Sequence, residues 1–247
     1  MAVLLGFNLA SDFTATTTAT GITTGAVATA FTSISSFTQG NNGYSSDPVS
    51  SAGPASGATS AGTAITTNSY FFVTINPLSG KKMSLTTLTI DMARGGAATP
   101  RGYDIRSSVD DYAATLQTAD LSAQRTTFQA ISVDLSGASF QNVEGPITFR
   151  IYIYAPSTAN VIDWDNLIIN GTVADAGTVE QEGFRFRADD GTETTATWID
   201  TQDTNIVRQQ STNTRLRIVL NSTLDRGAES YRLEFREVGG TTWIPIE

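Results

Sequence analysis

Apolar and polar positions alternate most sharply between Ile147 and Gly171. Ile147, Phe149, Ile151 and Ile153 share one parity, and Thr148, Arg150, Tyr152 and Tyr154 the other. A two-residue period predicts a half-buried β-strand, because successive side chains of an extended chain point to opposite faces. A polar connection carrying Pro156 follows, and a second strand opens with Ile162 and Trp164 in phase. The phase slips by one residue at Asp165–Asn166 before Leu167 and Ile169 resume it, which predicts a β-bulge. Gly171 is expected to end this strand, and the first domain with it.

Upstream, residues 1–69 are dominated by Thr, Ser, Ala and Gly, with apolar positions scattered at Leu4, Leu5, Phe7, Ile22, Val27, Phe31, Ile34 and Phe37. Such stretches suit short strands and the loops between them. Gly40–Tyr44 reads as a turn and Ser45–Gly62 as a long loop. Order returns at Tyr70. Phe71, Val73 and Ile75 alternate with Tyr70, Phe72 and Thr74, so both faces of this strand are expected to be covered. After a turn at Asn76–Lys82, Leu88, Ile90 and Met92 run out of phase with Met83 and Leu85, which predicts a bend near Thr86–Thr87. Tyr103–Ser108 and Phe128–Leu135 read as strands, Ser108–Arg125 as a helical or mixed stretch, and Gly137–Pro146 as a loop.

Beyond Gly171 the chain becomes richer in Arg and acids. Residues 173–182 read as a linker, followed by strands at Gly183–Ala188, Thr195–Asp200, Arg215–Ser222, Tyr231–Val238 and Thr242–Ile246. Leu216, Ile218 and Leu220 alternate with Arg215, Arg217 and Val219, and Tyr231, Leu233 and Phe235 with Arg232, Glu234 and Arg236. The polar faces are expected to form cross-strand Arg/Glu ladders. The reading as a whole is an all-β protein: a jelly-roll-like β-sandwich over 1–172, then a smaller immunoglobulin- or fibronectin-like β-sandwich over 183–247.

Composition narrows the chemistry. The 247 residues hold 15 Lys and Arg against 24 Asp and Glu, a formal charge of -9, so no basic stripe exists to track nucleic acid. There is no Cys and no His, which removes disulfides, thiolate nucleophiles, Cys/His zinc sites and the Ser-His-Asp triad. No apolar run is long enough to span a membrane as a helix. The short Met1–Leu5 run lacks the form of a secretory leader, so synthesis in a cytoplasm is expected.

Asp163 and Asp165, in Asp-Trp-Asp-Asn, are candidate oxygen ligands for calcium, with a bulge held by Asp/Asn side-chain hydrogen bonds as the competing reading. Their spacing does not match an EF-hand loop. The Asp110–Asp111 pair suits a turn or helix cap better than a glycosidase dyad. Asp189-Asp190-Gly191 reads as a hairpin turn, and Gly95-Gly96 and Gly239-Gly240 as turns. Trp164, Trp198 and Trp243 fit core positions better than a sugar-stacking platform.

Phe71–Ile90, Ile105–Tyr112, Thr148–Tyr154 and Asp165–Gly171 follow an order that resembles the β-sandwich domain of bacterial surface proteins often bearing a PEP-CTERM sorting tail. That tail and its basic cluster are missing from this sequence, so surface sorting is not implied. Gly183–Ile206, Thr214–Thr223 and Tyr231–Trp243 resemble a module of uncharacterised bacteriophage and environmental bacterial proteins. Together these resemblances imply a non-enzymatic virion component, such as a capsid decoration protein, head fibre or tail-associated protein. It would meet other virion proteins as a homo-oligomer, without cofactor, membrane or nucleic acid. The alternative is a secreted or surface carbohydrate-binding module, with calcium as a conditional ligand.

Overall fold

The alternating stretches fold as antiparallel strands, and the two parities of each strand meet different surroundings. The computed structural model describes residues 2–7, 15–24, 28–29, 35–38, 50–124, 127–209, 211–223 and 230–245. The chain divides into two compact units, Met1–Asp175 and Ala176–Glu247. The first contains β1 (Ala2–Phe7), β2 (Thr17–Thr18), β3 (Ile22–Thr24), β4 (Ala28–Thr29), β5 (Ser35–Thr38), β6 (Ser50–Gly53) and the short helix α1 (Ala61–Thr66). It continues with β7 (Tyr70–Pro77), β8 (Lys81–Arg94), β9 (Gly102–Ser107), β10 (Gln117–Asp120), β11 (Gln129–Asp134), β12 (Ile147–Tyr154) and β13 (Ile162–Asp175).

Two sheets result. One runs β11-β8-β13-β1-β2, with β6 paired to the start of β13 and β5 to β6. The other runs β10-β9-β12-β7-β3, with β4 also on β7. From β7 to β9, and again from β10 to β13, successive strands alternate between the sheets, as in a jelly roll. Leu4, Leu5, Phe7, Phe71, Val73, Ile75, Leu88, Ile90, Phe149, Ile151, Trp164 and Ile169 fill the space between them. Trp164 lies flat on Phe71, with ring centroids 4.1 Å apart, at the centre of that core.

Both expected phase slips are bulges between β8 and β13. The register jumps between Asp165 and Ile168, where Asn166 adopts a left-handed φ of 48°. Asp165 accepts the Asn166 amide at 2.7 Å, and Asn166 Nδ2 donates to Asp91 at 3.1 Å. The second slip leaves Thr86 unpaired between Thr87, opposite Asn170, and Leu85, opposite Gly171.

Several expectations need correction. Gly171 does not end its strand: β13 runs on to Asp175 beside β8. Gly171 sits where the Thr86 bulge pushes backbone inward, and a Cβ there would lie 2.2 Å from the Ser84 carbonyl oxygen. The supposed linker 173–182 is accordingly strand at both ends. Ser108–Arg125 forms only a single 3-10 turn before β10, because Asp111 and Tyr112 take left-handed φ values of 55° and 62° that stop a helix. The Ser45–Gly62 loop is interrupted by β6 and by the start of α1. Ser60 and Thr63 form that helix's capping box, each side chain accepting the other's backbone N–H. Val27, Phe31, Ile34 and the Gly40–Tyr44 turn lie outside the described residues.

The second unit contains β14 (Val179–Ala188), β15 (Thr214–Ser222), β16 (Glu234–Phe235) and β17 (Ile244–Pro245). Among the described residues the immunoglobulin-like sandwich expected here is represented by two separate two-stranded pairs, β14-β15 and β16-β17. Thr195–Asp200 is not a ladder strand; it folds back along β14 through an Arg187–Trp198 bridge, the chain reversing through Asp189–Gly191. The Arg/Glu ladder is corrected too. Arg185 stands opposite Arg217 and Arg187 opposite Arg215. Like charges across a ladder destabilise it unless something neutralises them, and residues 189–203 do so. Arg187 donates to the carbonyls of Glu193 and Ala196, Arg185 to that of Asp200, while Arg215 pairs with Asp189 and Arg217 with Glu193.

Candidate functional site

The outward face of the second sheet carries a dense group of aromatic and charged side chains. Tyr70 and Phe72 project from β7, Arg150, Tyr152 and Tyr154 from β12, and Asp104 and Arg106 from β9. Aromatic residues on the polar parity of a strand ask for a cover, and part of the face has one. Ala55, Ala58, Ala64, Tyr70, Tyr152 and Tyr154 form a small second core beneath α1 and the segment before it. The buried Ser69 ties that segment down by accepting the Ala55 amide at 2.7 Å. Burial raises the Tyr154 pKa far above its ordinary value, and its 2.5 Å hydrogen bond to Asp120 adds to the shift.

Beside this covered half, the loop after β9 folds back over the sheet. Asp104, almost fully buried, accepts from Arg106 at 2.9 Å and from Thr115 at 2.9 Å. Arg106 also donates to the carbonyls of Tyr112 and Ala113, at 2.9 and 2.8 Å. Those bonds hold Tyr112 over Arg150, whose guanidinium carbon lies 3.5 Å from the Tyr112 ring centre and 4.5 Å from that of Tyr70. Arg150 thus lies between two rings, and it also donates to the Tyr152 hydroxyl at 3.3 Å. Burial raises the Tyr70 pKa, with the Arg150 charge opposing it. The Tyr70 ring therefore stays a neutral π-face for the cation at ordinary pH.

What stays half-exposed is a strip two residues deep. Phe72 lies directly across from Arg150, and Thr74 from Thr148, the two threonine hydroxyls sharing a 2.8 Å hydrogen bond. Phe72, Thr74, Thr148, Arg150 and Tyr112 are all partly accessible. Among the described residues no carboxylate forms an ion pair with Arg150. The strip therefore offers an apolar ring, a flat array of guanidinium donors and paired hydroxyls on rigid strands.

The carboxylates singled out in the sequence lie elsewhere. Asp163 is fully buried on β13 with Gly95 packed beside it, and Asp165 is engaged in closing the bulge. Among the described residues no three His, Cys, Asp or Glu side chains group as metal ligands. Asp110 accepts the Ala114 amide at 2.9 Å, as a turn residue does. Of the three tryptophans only Trp164 is core. Trp198 is 38% exposed between Arg185 and Arg187, and Trp243 is 56% exposed beside Arg236. Tyr112 and Arg150 went unrecognised as a pair because a loop brings them together; the readable signal was the aromatic run Tyr70, Phe72, Tyr152, Tyr154 on the outward parity.

No protein-family model matches the chain, and no curated protein does. Solved structures with a related architecture include the K3 cleaved adhesin domain of Lys-gingipain from Porphyromonas gingivalis, with 14% identity and a TM-score of 0.33 over 52% of this chain and 75% of that one. The family 11 carbohydrate-binding module of the Clostridium thermocellum cellulase Lic26A-Cel5E has 11% identity and a TM-score of 0.31 over 62% of this chain and 87% of that module. An exo-beta-agarase has 11% identity and a TM-score of 0.36, the match covering 69% of this chain and only 26% of the agarase. These values give no residue-by-residue correspondence. No helix among the described residues is long and apolar enough to cross a membrane.

Proposed function

We propose that the first unit is a non-catalytic carbohydrate-binding module whose contact surface is the strip around Phe72, Tyr112 and Arg150. The observation that carries this reading is Arg150 itself: a guanidinium held flat by two tyrosines, with no carboxylate among the described residues taking its donors, beside a half-exposed phenylalanine. A pyranose presents an apolar C–H face and a rim of vicinal hydroxyls; the first suits an aromatic ring and the second a planar fork of N–H donors. Preorganisation supports the reading as well, since the Asp104–Arg106–Thr115 network fixes the loop before any ligand arrives. The consecutive left-handed residues Asp111 and Tyr112 store backbone strain of the kind that clusters at binding sites. With a net charge of -9, a neutral glycan suits the protein better than a polyanion. Such a module would work at an extracellular or cell surface.

No described feature singles out a virion role. The test is a neutral-glycan array followed by calorimetry on the best binder. Arg150→Ala and Tyr112→Ala are each expected to weaken binding about tenfold or more, the loss of about 1.4 kcal/mol. Val207→Ala, a fully exposed change in the other unit, is expected to leave it intact. An array without a hit, or a hit indifferent to both substitutions, overturns the proposal.

A further inference from the structure

The described residues of the second unit bury little apolar surface. Among its described residues the buried side chains are Ala176, Ala196 and Arg187, while Phe184 and Phe186 are half-exposed. Leu216, Ile218 and Leu220 are 37%, 38% and 48% exposed. Register places these five on one face of the β14-β15 ribbon, Phe184 opposite Ile218 and Phe186 opposite Leu216. The other face is the arginine row, already neutralised by residues 189–203. The ribbon's two edges differ in the same way. Outside β14, the amides of Ala188, Ile199 and Asp203 close hydrogen bonds of 2.8 to 3.1 Å between that strand and residues 197–203. Outside β15 no strand pairs among the described residues. A nine-residue edge with an aliphatic face is a template for another strand.

We infer that β15 pairs antiparallel with β15 of a second copy of this chain, about a two-fold axis through Ile218. The strand is symmetric about that residue, so the pairing uses all nine positions from Thr214 to Ser222. Ile218 meets Ile218 of the second copy, and Leu216 meets Leu220, giving a continuous aliphatic band flanked by the phenylalanines of both copies. No like charges face each other: Arg217 falls opposite Val219 and Arg215 opposite Asn221. A register centred on Arg217 would instead set two arginines opposite one another. The surface is thus self-complementary, as a two-fold interface requires. The pairing aligns the aliphatic side chains of both copies on one face, while the arginines stay neutralised within each copy. A four-stranded sheet also relieves the marginal standing of an isolated two-stranded ribbon.

The absence of cysteine makes the register testable by single-cysteine cross-linking of the full chain. Directly opposed residues in such a pair stand about 4.5–5.5 Å apart at Cα, within disulfide reach. On mild oxidation Ile218→Cys is expected to give a covalent dimer. Leu216→Cys alone is expected to give little, and an equimolar mixture of Leu216→Cys with Leu220→Cys a mixed dimer. Val207→Cys, at a 99% exposed position away from the strand, serves as the collision control. In sedimentation of uncrosslinked protein, Ile218→Lys sets two cations face to face and is expected to weaken the dimer at least tenfold; circular dichroism confirms that it stays folded. A monomeric parent chain, equal cross-linking at positions 207 and 218, or an undiminished dimer in folded Ile218→Lys overturns the inference.

Discussion

Gly171 shows how much one missing Cβ decides. Its neighbours on β8 approach so closely that an alanine there would meet the Ser84 carbonyl at 2.2 Å and the Leu85 Cα at 3.0 Å. Neither is the flexible end of a side chain, so backbone must move, at about 1–3 kcal/mol or more. Gly171→Ala is therefore expected to lower the unfolding free energy of the first unit by that amount, measured by urea unfolding followed at Trp164. A change below about 0.5 kcal/mol would mean the bulge is softer than its geometry indicates. From the sequence, the glycine at this position reads as a strand's end. The difference between an end and a bulge depends on the partner strand, and no property of residues 162–175 taken alone records what Ser84 is doing across the ladder.

At the scale of elements, periodicity was legible wherever one face of a strand met the main core. The Asp165–Asn166 and Thr86–Thr87 slips and the core parity of β12 follow from apolar spacing alone. Of the two covered faces expected for Tyr70–Ile75, the outer one is buried only at Tyr70, with Phe72 and Thr74 half-exposed. Elements held by backbone chemistry were harder to read. The 3-10 turn at Ser108–Asp110 looks helical by spacing, and only the left-handed pair after it says otherwise. In the second unit, alternating arginines were read as a solvated ladder, whereas a folded-back segment covers them. Asp190 is part of that cover. It accepts the Thr197 amide at 2.8 Å, and this backbone hydrogen bond holds its pKa below the ordinary carboxylate range. A depressed folded pKa contributes stability that is complete above the unfolded value, about 3.9, and is lost as pH falls through the folded one. The Thr197 amide resonance is thus expected to titrate below the ordinary aspartate value, and Asp190→Asn to remove both that titration and its share of acid destabilisation. Titration at the ordinary value would show that the bond is not held in solution.

The whole molecule joins two units of unequal self-sufficiency. The first buries Trp164, Tyr103, Phe7, Phe71 and Phe149 completely or nearly so, and it has the layered core that makes a domain of this size stable by itself. The second leaves Leu216, Ile218, Leu220, Tyr231, Phe235 and Trp243 more than a third exposed. Sequence composition gave no warning of this contrast, because both halves alternate well; exposure is a property of what the alternating faces meet. Calorimetry over a hundredfold range of protein concentration is expected to move the second unit's transition upward with concentration and leave the first unit's fixed. Two concentration-independent transitions would show that the second unit is stabilised within one chain.

The open edge of β15 also bears on how such a protein would hold a surface. Under the proposed function, a single strip of one phenylalanine, one tyrosine and one arginine would attach only briefly to an isolated sugar. Joined through their second units, two copies would present two such strips on one tether. Release of one would leave the other to hold it near the surface at millimolar effective concentration. Residence on a repeating polymer would then far exceed that on a free oligosaccharide, without any new contact to the sugar.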